Sequence, residues 1–222
     1  MPDTIEFLAA IRARDAAAVE RMLAEDPTLA MARDRDGFSA VMLARYFSWS
    51  DATMVDLLVN ARGDADLDIF EASATGRAGR VRELLAGDIG LASRYASDGF
   101  QPLHLAAFFG AETVTELLLM AGADPERTSR NEQLVRPIHS AVAGRSFAVT
   151  RLLVDAAADV NATQRGGFRP IHAAAQNGDD LIVDLLLLAG ADPVLPTGDG
   201  RTAADLAAAA GHEALATRLR AG

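Results

Sequence analysis

The sequence contains no cysteine and no lysine, and only 5% of its residues are aromatic. Without cysteine the chain forms no disulfide, thiolate metal site or cysteine nucleophile, and a reducing compartment is the simpler expectation. Without lysine it has no amine for a Schiff base or for a phosphate-binding loop. All 21 basic residues are therefore arginine, and the 31 acidic residues give a formal net charge of −10.

Long hydrophobic runs are also absent. No apolar stretch approaches the roughly 20 residues needed to cross a bilayer, and residues 1–6 lack the basic flank of a signal peptide. We therefore expect a cytoplasmic protein with no membrane partner. The negative net charge repels polyphosphate, so general nucleic-acid binding is not expected. The 46 alanines and the missing lysine favour a GC-rich bacterial source.

A six-residue motif recurs along the second half of the chain. It reads Pro-Leu-His-Leu-Ala-Ala at 102–107, Pro-Ile-His-Ser-Ala-Val at 137–142 and Pro-Ile-His-Ala-Ala-Ala at 170–175, and a weaker copy starts at Ala203. Successive copies begin 35, 33 and 33 residues apart. The first three are followed by an apolar pair and then by a small-residue turn that ends in aspartate, whereas the fourth has the degenerate pair Arg218-Leu219. Self-similarity at such a period predicts a repeat architecture.

The first half of the chain repeats on a doubled period. Residues 19–38 and 81–100 share Val, Leu, Asp, Leu and Asp-Gly-Phe at the same offsets. Within a unit, proline at the first helical position and a glycine such as Gly110, Gly178 or Gly211 at the helix end predict a short helix, a tight turn and a second helix. Asp-Gly or Gly-Gly pairs between units predict hairpin-like turns with positive φ.

These features resemble the ankyrin repeat family, whose Thr-Pro-Leu-His-x-Ala signature and 33-residue period the four motif copies reproduce in degraded form. The resemblance covers nearly the whole chain. It implies a single domain over residues 1–222, an all-α ankyrin-repeat solenoid of about seven helix-turn-helix units with short hairpin-like turns. The expected units are 4–32, 36–64, 67–94, 98–127, 135–161, 167–194 and 200–220. Terminal units of such arrays are expected to be atypical caps.

The chain departs from the family pattern in several units. The threonine that precedes proline in the family is replaced in three of them, by Gln101, Arg136 and Arg169. Thr202 keeps it. The first and third expected units lack the motif histidine, the second carries about two extra residues near 46–50, and the fifth has a longer turn over 128–135.

The four histidines are the first candidates for a general base or a metal ligand. His104, His139 and His172 occupy one motif position, where the resemblance implies that each imidazole links neighbouring turns by hydrogen bonds. His212 follows Gly211 where a second helix is expected to begin. A catalytic residue would not recur at the repeat period, so we interpret all four as structural and predict that the protein is not an enzyme.

Other site patterns are weak or missing. Residues 76–79, Gly-Arg-Ala-Gly, lack the spacing and strand-to-helix context of a nucleotide loop, and no Gly-x-Ser-x-Gly or His-Glu-x-x-His sequence occurs. Asp64, Asp66 and Asp68 alternate as cation ligands could, but lack the other ligands and the turn glycine of a calcium loop. Helix N-capping explains them better. We therefore expect no cofactor and no metal.

Arginine is concentrated in the turns between the expected units. Nine of the 21 arginines and five of the acids fall there, so the turns are net positive while the remainder is strongly negative. For any single arginine a solvated turn is the alternative interpretation. Together they suit an acidic surface on a partner protein, and would mainly raise the rate of encounter. The arginines predicted to contact a partner are Arg35, Arg127, Arg130, Arg136, Arg165, Arg169 and Arg201.

Five of the nine phenylalanines lie beside this arginine-rich edge. They are Phe38, Phe100, Phe108, Phe109 and Phe168. Either they pack into the seams between units, or they form with the arginines an exposed contact cluster of the kind that interfaces favour. Tyr46, Phe47 and Trp49 would extend such a cluster.

The resulting function prediction is a monomeric, non-enzymatic module that binds another protein through a concave face of turn tips and inner helices. A host-directed effector or an inhibitor of a specific enzyme differs from a cellular adaptor only in its partner, so these alternatives stay open. A small-ligand module would need an enclosed polar pocket, and a nucleic-acid binder would show strong salt dependence. We expect that replacing both Arg130 and Arg169 by glutamate weakens binding of the partner and slows association without unfolding the protein.

Overall fold

A computed structural model describes residues 3–47 and 52–221 of the chain. Within these ranges the protein is all-helical, with fourteen α-helices and no strand beyond an isolated bridge between Arg33 and Ser39. The all-α prediction is confirmed. The chain divides into two compact units, residues 1–91 and 92–222.

The first unit contains six α-helices. They are α1 (Thr4–Arg12), α2 (Ala16–Glu25), α3 (Ala40–Phe47), α4 (Thr53–Arg62), α5 (Ile69–Ala74) and α6 (Ala78–Gly87). α1 packs on α3 and α3 on α5, so alternate helices form one layer, and each contacts the helix that follows it. The expected N-capping is confirmed for Asp68, whose carboxylate accepts two N–H groups at the start of α5.

The second unit contains eight α-helices. They are α7 (Pro102–Phe108), α8 (Glu112–Met120), α9 (Pro137–Ala143), α10 (Phe147–Asp155), α11 (Pro170–Asn177), α12 (Asp180–Leu188), α13 (Ala203–Ala209) and α14 (Glu213–Ala221). α7, α9, α11 and α13 pack on one another in that order as inner helices, and α8, α10 and α12 form an outer layer. Short 3₁₀ segments cover Pro27–Met31, Asp64–Asp66, Ile89–Ser93 and Arg165–Gly167.

None of these helices is long enough to be stable alone in water, so their packing decides their stability. In the second unit each inner helix buries a large apolar side chain completely, namely Leu103, Ile138, Ile171 and Leu206. The outer helices bury Leu118, Leu153 and Leu186 to the same extent. Burial of one such side chain contributes about 1.5–3 kcal/mol. The alanine-rich inner faces let neighbouring inner helices approach closely.

The predicted hairpin-like turns are confirmed. A backbone hydrogen bond closes each turn across residues 34–38, 96–100, 129–135, 164–168 and 197–201. Four of these bonds join residues four apart and the bond across 129–135 joins residues six apart, so the longer turn expected in that unit is also confirmed. Gly99 shows why glycine is needed, because its φ is +82° and a Cβ there would lie 2.8 Å from the carbonyl carbon of Arg130.

Candidate functional site

Four consecutive turns of the second unit lie side by side. We call them the turn row, which consists of residues 96–100, 129–135, 164–168 and 197–201. Adjacent turns are joined by backbone hydrogen bonds from Arg130 to Gly99 (2.8 Å), from Arg165 to Gln133 (2.9 Å) and from Gly198 to Gly166 (2.6 Å). Because backbone bonds set the spacing of the turns, side chains on the turn row keep a defined separation.

The motif histidines tie three of the inner helices to the segments at or just before the next turn. His104, His139 and His172 are buried, and each Nδ1 accepts the backbone N–H three residues earlier, at 3.3, 3.2 and 3.0 Å. The proton is therefore on Nε2, which donates to a carbonyl oxygen at 3.1, 3.1 and 2.9 Å. These acceptors are Val135, Ala162 and Leu195. Both nitrogens of each ring are engaged, so none of the three is a free base or ligand.

Burial also changes the protonation of these rings. Burial lowers the pKa of His104 to about 4 and that of His139 to about 4, while their backbone hydrogen bonds act in the opposite direction. Burial likewise lowers the pKa of His172. At neutral pH the imidazoles are therefore neutral. His212 is half-buried instead, with its ring so close to Gly178 that a Cβ there would meet it at 2.5 Å.

In the first unit a buried ion pair takes the place of the motif histidine. Glu71, the third residue of α5, is fully buried, and its Oε2 accepts the N–H of Asp68 at 2.9 Å, as the imidazole Nδ1 atoms do in the second unit. Its Oε1 lies 2.6 Å from Nη1 of Arg62. The missing histidine was expected, but its replacement was not. The Asp-x-x-Glu spacing of a capping box is the signal that could have found it.

Three exposed arginines, two on the turn row and Arg127 just before its second turn, are held only by exposed acids. Arg127 lies 3.6 Å from Asp124, Arg165 lies 2.7 Å from Glu132, and Arg201 lies 2.8 Å from Asp199. Exposed pairs contribute only about 0.2–1 kcal/mol each. A carboxylate on another molecule can therefore replace these partners at small cost.

Arg130 is held by an aromatic ring instead. Its guanidinium lies over the ring of Tyr95, with Cζ 4.0 Å from the centroid. The Tyr95 hydroxyl donates to the carbonyl oxygen of Thr128 at 3.0 Å, which fixes the ring. The side chain of Arg130 is exposed, and within residues 3–47 and 52–221 it has no ion pair or hydrogen bond. Its N–H donors are thus available.

Two of the predicted contact arginines are half-buried and hold the turns together. Arg136 pairs with Glu126 at 2.5 Å. Nη1 of Arg169 donates to the carbonyl oxygens of Gly167 and Pro196 at 3.3 and 2.8 Å. Their guanidinium groups stabilise the second unit, and a contact with a partner stays a prediction for both.

The turn phenylalanines are half-buried. Phe100 and Phe168 pack beside the motif imidazoles of His104 and His172, with ring centroids 5.7 Å apart in both cases. Phe38 in the first unit meets a tyrosine ring edge-on at 6.0 Å. These contacts favour the interpretation that the three rings fill space next to their own turns.

Phe108 and Phe109 end the first inner helix of the second unit. Their rings meet edge-to-face at 5.0 Å and both are half-buried. A Cβ at Gly144 would lie 1.9 Å from the carbonyl oxygen of Phe108, so α7 and α9 approach closely here. The exposed residues at the position of Phe108 in the next three inner helices are Ala143, Gln176 and Ala209. We call Phe108, Phe109 and these three residues the inner-helix strip.

The residues selected in the first unit lie in its turn 34–38 and near the end of α3. Arg35 is exposed, and Phe47 is 39% exposed at the end of α3. Tyr46 is half-buried against Phe38. Trp49 lies outside the described residues, and the four residues stay predictions as partner contacts.

One exposed residue of the turn row was missed by the sequence reasoning. Leu134 is 51% exposed and has a φ of 53° in the elongated turn. A left-handed backbone costs an ordinary L-residue about 1–2 kcal/mol. The extra length of this turn could be read from the sequence, but no local pattern indicates which of its side chains points away from the protein.

The described part of the chain contains neither a metal-binding cluster nor a helix suited to a membrane. No group of three or more histidine and acidic side chains is placed to hold a metal ion within residues 3–47 and 52–221. Over the same ranges, no helix has both the length and the apolar character needed to span a bilayer.

Comparison with known proteins places these features in a family. A family model described as ankyrin repeats (3 copies) matches residues 69–164 and 138–221. Mouse ankyrin repeat and SOCS box protein 16 is 36% identical over 119 residues, which are 51% of this chain and 26% of that protein.

Two longer matches cover more of the chain. The chicken nuclear factor NF-kappa-B p105 subunit is 32% identical over 170 residues, 74% of this chain and 17% of that protein. A Caenorhabditis elegans homolog of transient receptor potential cation channel subfamily A member 1 is 30% identical over 153 residues, 69% of this chain and 12% of that protein. The chain thus spans about a quarter or less of these relatives. Its helix pairs, hairpin-like turns and histidine motif, with the match over most of its length, make it a member of the ankyrin repeat family.

Proposed function

We propose that this protein is a non-enzymatic module that binds another protein through the turn row and the inner-helix strip of residues 92–222. Ankyrin repeats generally mediate protein–protein interactions. The observation that carries the proposal is the turn row itself, four turns at spacings set by backbone hydrogen bonds. A rigid surface loses little conformational entropy when a partner binds.

The chemistry of the second unit supports binding over catalysis. Its three motif imidazoles are buried, neutral at pH 7 and bonded at both nitrogens, so they neither accept a substrate proton nor bind a metal. The proposed surface carries exposed guanidinium groups, half-buried aromatic rings and small side chains. Interfaces are enriched in arginine and aromatic residues.

We further propose that the partner presents an acidic surface and that the chain acts as a monomer in the cytoplasm. The exposed arginines at the turn row are held by weak pairs, so they can exchange to carboxylates of a partner. A net charge of −10 disfavours association of identical copies. The absence of cysteine is compatible with a reducing compartment.

Site-specific photocrosslinking tests this assignment of the binding surface. A benzophenone amino acid is introduced at Gln176 or Arg165 on the proposed surface, and at Met120 or Leu188 on the outer helices, which are 85% and 89% exposed. Each variant is irradiated in extract of the source cells, and crosslinked proteins are identified by mass spectrometry. We expect one or a few defined proteins from the first pair and none of them from the second.

Equal crosslinking of the same protein from both pairs would contradict the proposed surface. Crosslinks from the outer-helix positions alone would show that the partner binds the outer helices instead. Circular dichroism of each variant confirms that the fold is intact, which is expected because all four positions are at the surface.

A further inference from the structure

We infer that the elongated turn, residues 129–135, binds an acidic segment of the partner protein, with Arg130 holding a carboxylate and Leu134 contacting an apolar side chain next to it. The inference rests on the proposed function and assigns the chemistry of the partner to one part of the turn row.

Arg130 has the geometry of a prepared carboxylate site. The guanidinium carbon Cζ lies over the Tyr95 ring, 4.0 Å from its centroid, and within the described residues the N–H edge of the group has no hydrogen bond or ion pair. That edge matches a carboxylate through two parallel hydrogen bonds. The ring is itself fixed by the bond from its hydroxyl to Thr128. Arg130 therefore loses less side-chain entropy on binding than a freely moving arginine.

Leu134 supplies the apolar part of the same turn. The backbone around it is held by the bond from Arg165 to Gln133 on one side and by the closing bond from Ser129 to Val135 on the other. Leu134 is 51% exposed and has a positive φ that glycine would adopt with less strain, so the fold itself does not require a leucine at this position. An apolar group beside an arginine is the usual composition of an interface anchor.

Charge selects the class of occupant. The segments 127–136 and 163–169 carry five arginines and one glutamate, within a chain whose net charge is −10. Four of these arginines are engaged by ion pairs or backbone carbonyls in the described part of the chain, so Arg130 is the cation left to attract a carboxylate of a short acidic segment. A long nucleic acid would also be repelled by the negative charge of the rest of the chain, so the charge pattern favours a short acidic segment.

Peptide selection on the intact protein tests the inference. A phage library of random 12-residue peptides is panned on the immobilised full chain, and enriched peptides are synthesised with a fluorescent label. Fluorescence anisotropy then gives Kd for the wild type and for the variants Arg130→Gln and Leu134→Gly. We expect enriched peptides with Asp or Glu within a few residues of an apolar side chain, and Kd weakened about tenfold or more by each variant.

Matched controls separate contact from folding. Leu134→Gly also removes backbone strain, so a control is needed for that effect. Ala157→Gly provides it, because Ala157 is exposed, has a φ of 62° and lies outside the turn row. Arg151→Gln removes one exposed charge from α10. Both controls should bind like the wild type. Exchange of the peptide's acids for amides should weaken binding to the wild type but have little further effect on Arg130→Gln, which a double-mutant cycle quantifies.

The outcomes that overturn the inference are distinct from failure of the proposed function. Enriched peptides without acids, no enriched peptide, or wild-type Kd for both Arg130→Gln and Leu134→Gly would each overturn it. Displacement of the peptide by a 20-residue oligothymidylate at similar concentration would assign the site to nucleic acid instead. If photocrosslinking still identifies a partner from Gln176 and Arg165, the proposed function stands while this assignment of the turn fails.

Discussion

The motif imidazoles are neutral and hydrogen-bonded at both ring nitrogens, which makes the stability of the second unit sensitive to acid. Burial lowers the pKa of His104 and of His139 from 6.5 to about 4. Between these values the unfolded chain binds more protons than the folded chain, so stability is full above pH 6.5 and is lost as the pH falls toward 4. We expect about 2 kcal/mol per histidine to be lost between pH 7 and pH 5. Urea unfolding followed by circular dichroism at the two pH values measures it.

The variant with His104→Gln and His139→Gln is the control for this pH dependence. Glutamine keeps a hydrogen-bonding side chain but does not titrate, so the difference between pH 7 and pH 5 should shrink. A double variant with a pH dependence as steep as that of the wild type would show that other groups are responsible.

The ion pair between Arg62 and Glu71 is the most buried one in the described part of the chain, with side chains 6% and 1% exposed. Arg62→Ala would leave the carboxylate of Glu71 buried without its counter-charge, which costs about 3–5 kcal/mol. Chemical denaturation measures the loss. Glu132→Ala breaks the exposed pair with Arg165 and should cost less than about 1 kcal/mol. Similar losses in the two variants would refute a special role for burial.

At the scale of the element, helices of six to ten residues depend on their neighbours. Leu118 in α8 is fully buried, so Leu118→Ala should cost about 2–5 kcal/mol. Met120→Ala in the same helix removes a side chain that is 85% exposed and should change stability by no more than about 0.5 kcal/mol. Thermal and urea unfolding of both variants provide the comparison, and a small loss for Leu118→Ala would mean that the helix layer repacks easily.

The turns depend on glycine for two separable reasons. Gly99 and Gly200 have similar φ values of +82° and +86°. A Cβ at Gly99 would lie 2.8 Å from the backbone of the next turn, whereas a Cβ at Gly200 would meet nothing within 4 Å. Gly200→Ala should therefore cost about 1 kcal/mol from backbone conformation alone. Gly99→Ala should cost more, because the Arg130 backbone must move. Equal losses in denaturant unfolding would show that the close approach of adjacent turns is unimportant.

For the whole molecule, charge is the dominant collective property. The chain has 31 acidic and 21 basic residues and a sequence pI near 4.8. Mutual repulsion of copies at neutral pH predicts a monomer, and sedimentation equilibrium should give a mass of 23.4 kDa. The same measurement at higher salt screens the repulsion. A dimer at micromolar concentration and neutral pH would contradict the expectation.

The class of fold was readable from particular residues. The Pro-x-His pattern at 102, 137 and 170 placed three helix starts, and glycines such as Gly99 located turns, because both signals act over a few residues. The roles of the arginines were less predictable. Arg169 was predicted to contact a partner, yet it donates to Gly167 and Pro196. Glutamate at that position would therefore disturb the turn as well as a contact, so Arg165 is the better position for a charge reversal.

The sequence by itself determined that this chain is an all-helical ankyrin repeat protein, because the repeat period and the helix and turn signals are local and recur many times. Only the tertiary structure decided which charged side chains are engaged. Arg165 and Glu132 are 33 residues apart in the chain yet 2.7 Å apart in space, and the guanidinium of Arg130 lies over the ring of Tyr95, which precedes the neighbouring turn. Such pairings depend on the distance between neighbouring turns, and that distance is set by backbone hydrogen bonds between residues that are far apart in the sequence.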